Sequence, residues 1–508
     1  MVVPPNARTP RPRASCVVAA LATLLVAGCA AGPDFKKPAA PHVDRYTATP
    51  MATATASSGK MAAGSAQHFD VGRDVAGDWW TLFHSQPLNA LIDAALKHSP
   101  DLKAAQAALK VAHEDVLAQR GTFLPSVSAG IDANRQEASN ILAPVPNFPA
   151  VPEEFMYNLF TPQVSVSYTP DVFGLNRRSV ESLKAQEQAV RFQMIAVYNT
   201  LTANVVVTAI QIASLQAQID ATRKLVDLNR HMLTILHYQL TGGAVSQQDV
   251  AAQQALLAQA ESALPGLVKQ LTQQRNRMAV LAGRFPSQGV DADFTLASLH
   301  LPEQLPVSLP SKLVAQRPDI RQAQANLHAA SAQIGVAAAN RLPQIQLSAD
   351  AGSTALAISK VFSPGTGFWN LTTSITAPIF EGGTLMHQER AAKANYTQAA
   401  AQYRSTVLSA FEDVADTLTA LEQDAKGLQA AATAADAAKT SLDIAQRQVK
   451  DGYAAPLSLL NAEQAWQQAQ ISLVQAQANR YADSAALFQA LGGGWWHRKD
   501  STRDTHEK

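Results

Sequence analysis

Cysteine is almost absent from this chain of 508 residues: there are two, Cys16 and Cys29, and Cys16 lies in a stretch that reads as a removable leader. What remains after the leader can form neither an internal disulfide nor a thiolate zinc site. Charge is also scarce, with Asp, Glu, Lys and Arg at 16% against about 25% in ordinary globular domains. The formal balance is +1, and loss of Arg8, Arg11 and Arg13 with the leader tips it slightly negative. Neither state supplies the basic face that a nucleic-acid partner needs. Catalytic patterns are missing too. His113-Glu114 lacks the second histidine of a zincin helix, no glycine-rich loop precedes a Lys-Ser/Thr pair, and no GxSxG occurs. The twelve histidines are scattered. An enzyme or a metal site is therefore not expected. In place of charge stand Ala, Gln, Ser and Thr, which suit surfaces that are wet but weakly charged.

The N-terminus reads as an export signal over residues 1–28. Three arginines precede the apolar stretch Val17–Ala27, which is too short to span a bilayer. Val26-Ala27-Gly28-Cys29 resembles a bacterial lipobox, in which the cysteine takes a diacylglycerol and, after cleavage, an N-acyl chain. No other cofactor is expected. With Ala30 in place of an aspartate, the same resemblance implies an outer-membrane destination. Residues 29–87 begin as a tether, rich in Ala, Pro, Thr and Ser over 30–70. The tail over 495–508 is polar from His497 onward.

The rest of the chain is a duplication. Residues 100–133 align without a gap on 318–351, keeping Pro100/Pro318, Asp101/Asp319, Gln106/Gln324, Leu124/Leu342, Pro125/Pro343 and Asp132/Asp350. The copies occupy 88–283 and 311–494, joined by a linker over 284–310. Each holds a helix (about 88–120 and 311–340), two strands, a long helix and a return helix. Residues 177–241 contain neither Pro nor Gly, and Val180, Leu183, Val190, Met194, Val197, Leu201, Val205, Ile212, Leu215 and Ile219 recur along them at coiled-coil spacing. Such a helix is about 100 Å long. Residues 384–450 repeat the pattern through Tyr403, Val407, Ala410, Val414, Leu418, Leu421, Ala425, Leu428, Ala432 and Ala435. Glycine turns at 241–250 and 450–460 lead into return helices over Ser246–Ala282 and Pro456–Leu491.

Four segments of about ten residues alternate cleanly, the length of tilted transmembrane strands. Val127, Ala129 and Ile131; Val164, Val166 and Tyr168; Ile345, Leu347 and Ala349; and Leu371, Thr373 and Ile375 fall on one face. The other face carries Ser128, Asp132, Ser165, Ser167, Gln346, Asp350, Thr372 and Ser374, the candidate pore lining. Phe123, Tyr168 and Trp369 mark the ends, where a membrane-interface aromatic girdle belongs. A soluble sheet with one wet face would show the same period. Four strands in lipid leave open edges, so several copies must close a barrel, two reaching the eight-stranded minimum and three giving twelve strands.

At this point the chain resembles the TolC-type outer membrane factors, and in particular their lipoprotein (NodT-like) branch. The likeness rests on CAAGPDFKKPAAP after the lipobox, GDWWTLFHSQPLNALIDAAL (77–96), YTPDVFG (168–174) matched by TAPIFEGG (376–383), RNRMAVLAG (275–283) and FQALGGGW (488–495). It implies a homotrimer with a twelve-stranded outer-membrane β-barrel, an α-helical periplasmic tunnel and a small equatorial layer. The implied function is the exit duct of a tripartite pump, passively conducting small toxic molecules such as drugs. Implied partners are a periplasmic adaptor (membrane fusion) protein, an inner-membrane transporter of the RND type, and outer-membrane lipid. The resemblance also places Gly243, Asp249, Gly452, Tyr453, Ser458 and Asn461 at the periplasmic tip, where the adaptor docks and the tunnel closes. Asp249 equally fits a capping box with Ser246. Ser458 and Asn461 stand where acidic residues are common, so constriction there relies on size and hydrogen bonding. Ducts for protein secretion or heavy-metal efflux are the rivals within transport. A periplasmic adaptor or structural coiled-coil lipoprotein is the rival of another class, though neither needs duplicated strand pairs.

Overall fold

A computed structural model describes residues 30–139, 154–290 and 292–498. The leader and the lipobox cysteine Cys29 lie outside the described residues, as does the tail beyond 498. The chain divides into two compact units. The first gathers the described residues up to Lys37 and those within Lys110–Gln188 and Ala325–Ala401, and the second the described residues within Pro38–Leu109, Ala189–Gln324 and from Gln402 onward.

The first unit is built on a four-stranded antiparallel sheet of β2 (Ser126–Ser139), β3 (Glu154–Tyr168), β5 (Gln344–Ser353) and β6 (Gly367–Thr376), in the order β2-β3-β5-β6. The second pair has the expected ten residues each, but the first pair runs to 14 and 15. Pro162 shows where the excess begins. It sits in an inner strand, which normally excludes proline for want of an N–H. The β3–β5 ladder ends at Gln163↔Gly352, the neighbouring pair, so Pro162 has only its β2 partner, Ile131, in register. Beyond it the β2–β3 hairpin continues, tied to the second repeat by the isolated bridge Phe160↔Ala355.

The duplication is visible in the element order. Helices α1 (Gln86–His98) and α2 (Pro100–Gly121) precede the first strand pair, and α5 (Pro310–Gln316) and α6 (Pro318–Ala339) precede the second. Each pair was expected as one continuous helix. The break falls at the aligned prolines, Pro100 and Pro318, because a proline forces the residue before it out of the helical region and lacks the N–H that would continue the ladder.

The long helices are α3 (Leu175–Thr241) and α7 (Thr384–Lys450), 67 residues each, and the return helices are α4 (Gln247–Leu281) and α8 (Pro456–Ala490), 35 residues each. All ten residues of the α7 seam, from Tyr403 to Ala435, are buried. In α3, Val180, Leu201, Val205, Ile212, Leu215 and Ile219 are buried and the remaining seam residues are half-buried. An 18-residue window of α3 is apolar enough to cross a membrane, but 67% of it is packed inside the chain, as in a core helix.

The N-terminal stretch is more ordered than its composition implies. His68–Val71 forms β1, parallel to β4 (Gln304–Val307). The fully buried Arg480 of α8 donates to the carbonyls of Ala63 and Ser65, to Thr55 Oγ1 at 3.0 Å and to Gln67 Oε1 at 3.0 Å. The Gln67 amide in turn donates to the Pro302 carbonyl and to Ser484 Oγ. A buried guanidinium demands this many acceptors. Thr and Gln, which read as tether in the sequence, supply them.

Candidate functional site

Side chains directly opposite in an antiparallel ladder share a face, so the strand register sorts the sheet. Val127, Val166, Ala349 and Leu371 form one row, and Ala129, Val164, Ala351 and Trp369 the next. The alternate rows are Ser126, Ser167, Ser348 and Thr372, then Ser128, Ser165, Asp350 and Asn370. Asp132 pairs with Thr161, and Gln346 with Ser374. The eight residues expected to line a pore therefore share one face. Gln346 Nε2 donates to Ser167 Oγ at 3.2 Å along it.

On the opposite face Val127, Ile131, Leu371, Ile375 and Trp369 are all at least 67% exposed. An apolar patch of this extent on a single chain marks a surface that meets lipid or another protein. Tyr168 pairs with Leu347 near the start of β5, whereas Trp369 pairs with Ala351 near its end. The two aromatics thus lie at opposite ends of the sheet. Phe123 is not on a strand: it sits in the turn after α2, whose last residues bend back through Phe123 N–H to the Arg120 carbonyl.

The two helix turns are nearly superimposable in their hydrogen bonding. Gly243 at φ +72° and Gly452 at φ +78° adopt the left-handed conformation that ends a helix. Ala244 N–H reaches the Gln239 carbonyl and Tyr453 N–H the Gln448 carbonyl, each at 2.8 Å. Behind the turns the ends of α3, α4, α7 and α8 pack together through Met232, Leu236, Val250, Leu442, Leu459 and Leu460.

Asp249 resolves as a cap. Its Oδ2 accepts from Ser246 N–H at 2.9 Å and from Ser246 Oγ at 2.7 Å, while Asp249 N–H donates to Ser246 Oγ at 3.3 Å. The Ser246 hydroxyl, then its backbone N–H, hold this exposed carboxyl below the usual range. Ser458 Oγ donates to the Ala455 carbonyl at 2.7 Å. Asn461 and Tyr453 are exposed, the tyrosine 87% so.

Sequence reasoning missed Glu463. Only 2% exposed, it lies on the α8 face that carries Leu459, Leu460 and Trp466, and neither carboxylate oxygen has a hydrogen-bond partner among the described residues. Burial pushes its carboxyl up to about 7. The signal was present in the helical spacing 459–463–466, which puts an acid on an otherwise apolar stripe.

Comparison with known proteins agrees with this geometry. The family model for outer membrane efflux proteins matches residues 91–284 and 309–493, one stretch over each repeat. The pyoverdine export outer membrane protein OpmQ of Pseudomonas putida is 30% identical over 420 residues, 82% of this chain and 88% of its own length. The solvent efflux pump outer membrane protein SrpC of Pseudomonas putida is 28% identical, covering 93% of this chain and 97% of its own. Among solved structures, the outer-membrane channel OprN superposes with a TM-score of 0.78 at 26% identity, over 92% of this chain and all of that one.

Proposed function

The chain belongs to the outer membrane efflux protein family, and we propose that it is the exit duct of a tripartite pump, passing small amphiphilic molecules from the periplasm to the exterior. It is an outer-membrane efflux channel that extends into the periplasm. Three copies close a twelve-stranded barrel, since β2 and β6 are open edges that lipid cannot satisfy. The observation that carries the duct is the sorted sheet, with Ser128, Ser165, Asp350 and Asn370 crossing it in one polar row beside rows of Val, Ala, Leu and Trp. The polar face lines the lumen and the apolar face meets lipid, with Tyr168 and Trp369 at its two borders.

The turns at Gly243 and Gly452 present the docking surface for a periplasmic adaptor, which links the duct to an inner-membrane transporter of the RND type. The exposed Tyr453, Ser458 and Asn461 belong to that surface, and Asp249 shapes it by fixing the start of α4. The chain is held in the membrane additionally by a diacylglycerol and an N-acyl chain on Cys29. Solvents or drugs are the favoured cargo, in line with the solvent pump protein SrpC. Export of a siderophore is the second reading, favoured by the 30% identity to OpmQ.

A strain lacking this chain, compared with one complemented by it, distinguishes the two. Hypersensitivity to a subset of antibiotics, dyes and solvents supports drug or solvent efflux. Loss of siderophore from the medium without hypersensitivity supports the second reading, and neither effect overturns small-molecule export.

A further inference from the structure

We propose that a groove at the strand–helix junction of the first repeat binds the phosphate headgroup of an anionic phospholipid in the periplasmic leaflet of the outer membrane. The groove, of about 650 Å3, lies between the end of α2 and the start of α3. Its chain positions fix its level: Arg120 lies just before β2, and Arg177 just after β3 ends at the border residue Tyr168. The floor is apolar, from Phe123, Val180 and Ala185, and the rim carries three cations, Arg120, Arg177 and Lys184.

Arg120 and Lys184 pair with no carboxylate among the described residues. Arg177 is steadied from one side by Asp171, whose carboxylate accepts its Nε at 3.3 Å and also caps the first turn of α3. The one acid in the groove, Glu181, is already engaged, accepting from Arg178 Nη1 at 2.7 Å and bonded to His328 Nε2 at 2.9 Å. An apolar floor under a basic rim matches the glycerol and first methylenes of a lipid beneath its phosphate.

The N-terminal segment shows which side of the wall the groove faces. Arg178, 6% exposed at its side chain, donates to the Ala31 carbonyl at 3.1 Å and to Asp34 Oδ1 at 2.8 Å, and Phe35 stacks on the His328 ring at 4.3 Å. That same His328 lines the groove. A chain descending from a lipid on Cys29 reaches the wall from outside, never through the lumen, so the groove opens toward the bilayer. This step rests on the lipid anchor proposed above.

The test is native mass spectrometry of the full-length protein, released from detergent after titration with phosphatidylglycerol or with phosphatidylcholine. Wild-type protein should retain phosphatidylglycerol in preference. The double variant Arg120→Ala/Lys184→Ala should bind it roughly thirtyfold more weakly, the two removed cations near a membrane surface being worth about 1 kcal/mol each. The charge-keeping variant Arg120→Lys/Lys184→Arg should retain it, which separates lost charge from lost folding. Equal retention by wild type and double variant, equal retention of the two lipids, or displacement by millimolar inorganic phosphate would each overturn the lipid site. The mass of the chain in the same spectra reports acylation. An unacylated chain with charge-dependent lipid binding sinks the anchor alone, and an acylated chain with charge-independent binding sinks the groove alone.

Discussion

The turns at Gly243 and Gly452 reverse their chains with the same backbone hydrogen bonds, yet the helices that follow start differently. The first begins with a reciprocal cap, Ser246 and Asp249 each satisfying the other's backbone. The second begins at Ala455 with no side-chain cap, relying on Pro456 at its first position and on Ser458 folding back to the Ala455 carbonyl. It then buries the unpartnered Glu463. The two tips therefore respond to pH with opposite sign. Asp249, held low, stabilises its turn above the ordinary carboxylate range, and that support is lost as pH falls through its folded value. Glu463, whose carboxyl burial pushes up to about 7, stays neutral in the packed tip only below that pH. It contributes nothing below pH 4.5 and an increasing penalty as pH rises toward 7. Of two repeats derived from one pattern, the second lacks the side-chain cap and carries the buried acid, so mild acid should tighten it.

Truncating the core behind the second turn should do the most damage. Leu459→Ala or Leu460→Ala should cost about 2–5 kcal/mol, read as loss of hydrogen-exchange protection over residues 445–466. Next comes Glu463→Leu, which should stabilise the second tip by about 2 kcal/mol at pH 8, the shift being discounted for screening, and do nothing at pH 4. The same exchange experiment at two pH values checks it. A gain that is independent of pH would show that packing, and not charge, limits this tip. Gly243→Ala and Gly452→Ala should each cost about 1 kcal/mol, because both glycines are left-handed. Equal losses at the two turns would show that the turns themselves are equivalent and that the difference lies in the helices that follow. The smallest effect is that of Ser246→Ala, which should bring exchange at 241–250 up toward that at 450–460 and leave the second turn untouched.

Much of this was legible because the helices and strands obey one periodicity for long stretches. The α7 seam from Tyr403 to Ala435 needed only its spacing of three and four, and the sheet only its period of two. Gly243 and Gly452 were legible because a left-handed residue at a helix end has few candidates. The breaks at Pro100 and Pro318 were missed because apolar periodicity carries across both. The parallel pairing of His68–Val71 with Gln304–Val307 was missed because four-residue strands leave too short a pattern. Arg480 and Glu463 were missed for a shared reason, although Glu463 left a trace as an acid on an apolar stripe. Burial of a charge depends on what distant segments bring to it: Thr55 and Gln67 in one case, and in the other no hydrogen-bond partner among the described residues.

The most direct test uses the near-absence of cysteine noted at the outset. Single cysteines can be placed at adjacent positions of β3, Ser165→Cys and Val164→Cys, with the unsubstituted chain as the control for Cys29, and probed in intact outer membranes with a charged, membrane-impermeant maleimide. Labelling should be rapid at 165 and blocked at 164, where the side chain faces lipid. Rapid labelling at 164 with protection at 165, or equal labelling at both, would contradict a barrel sector whose polar face lines the channel.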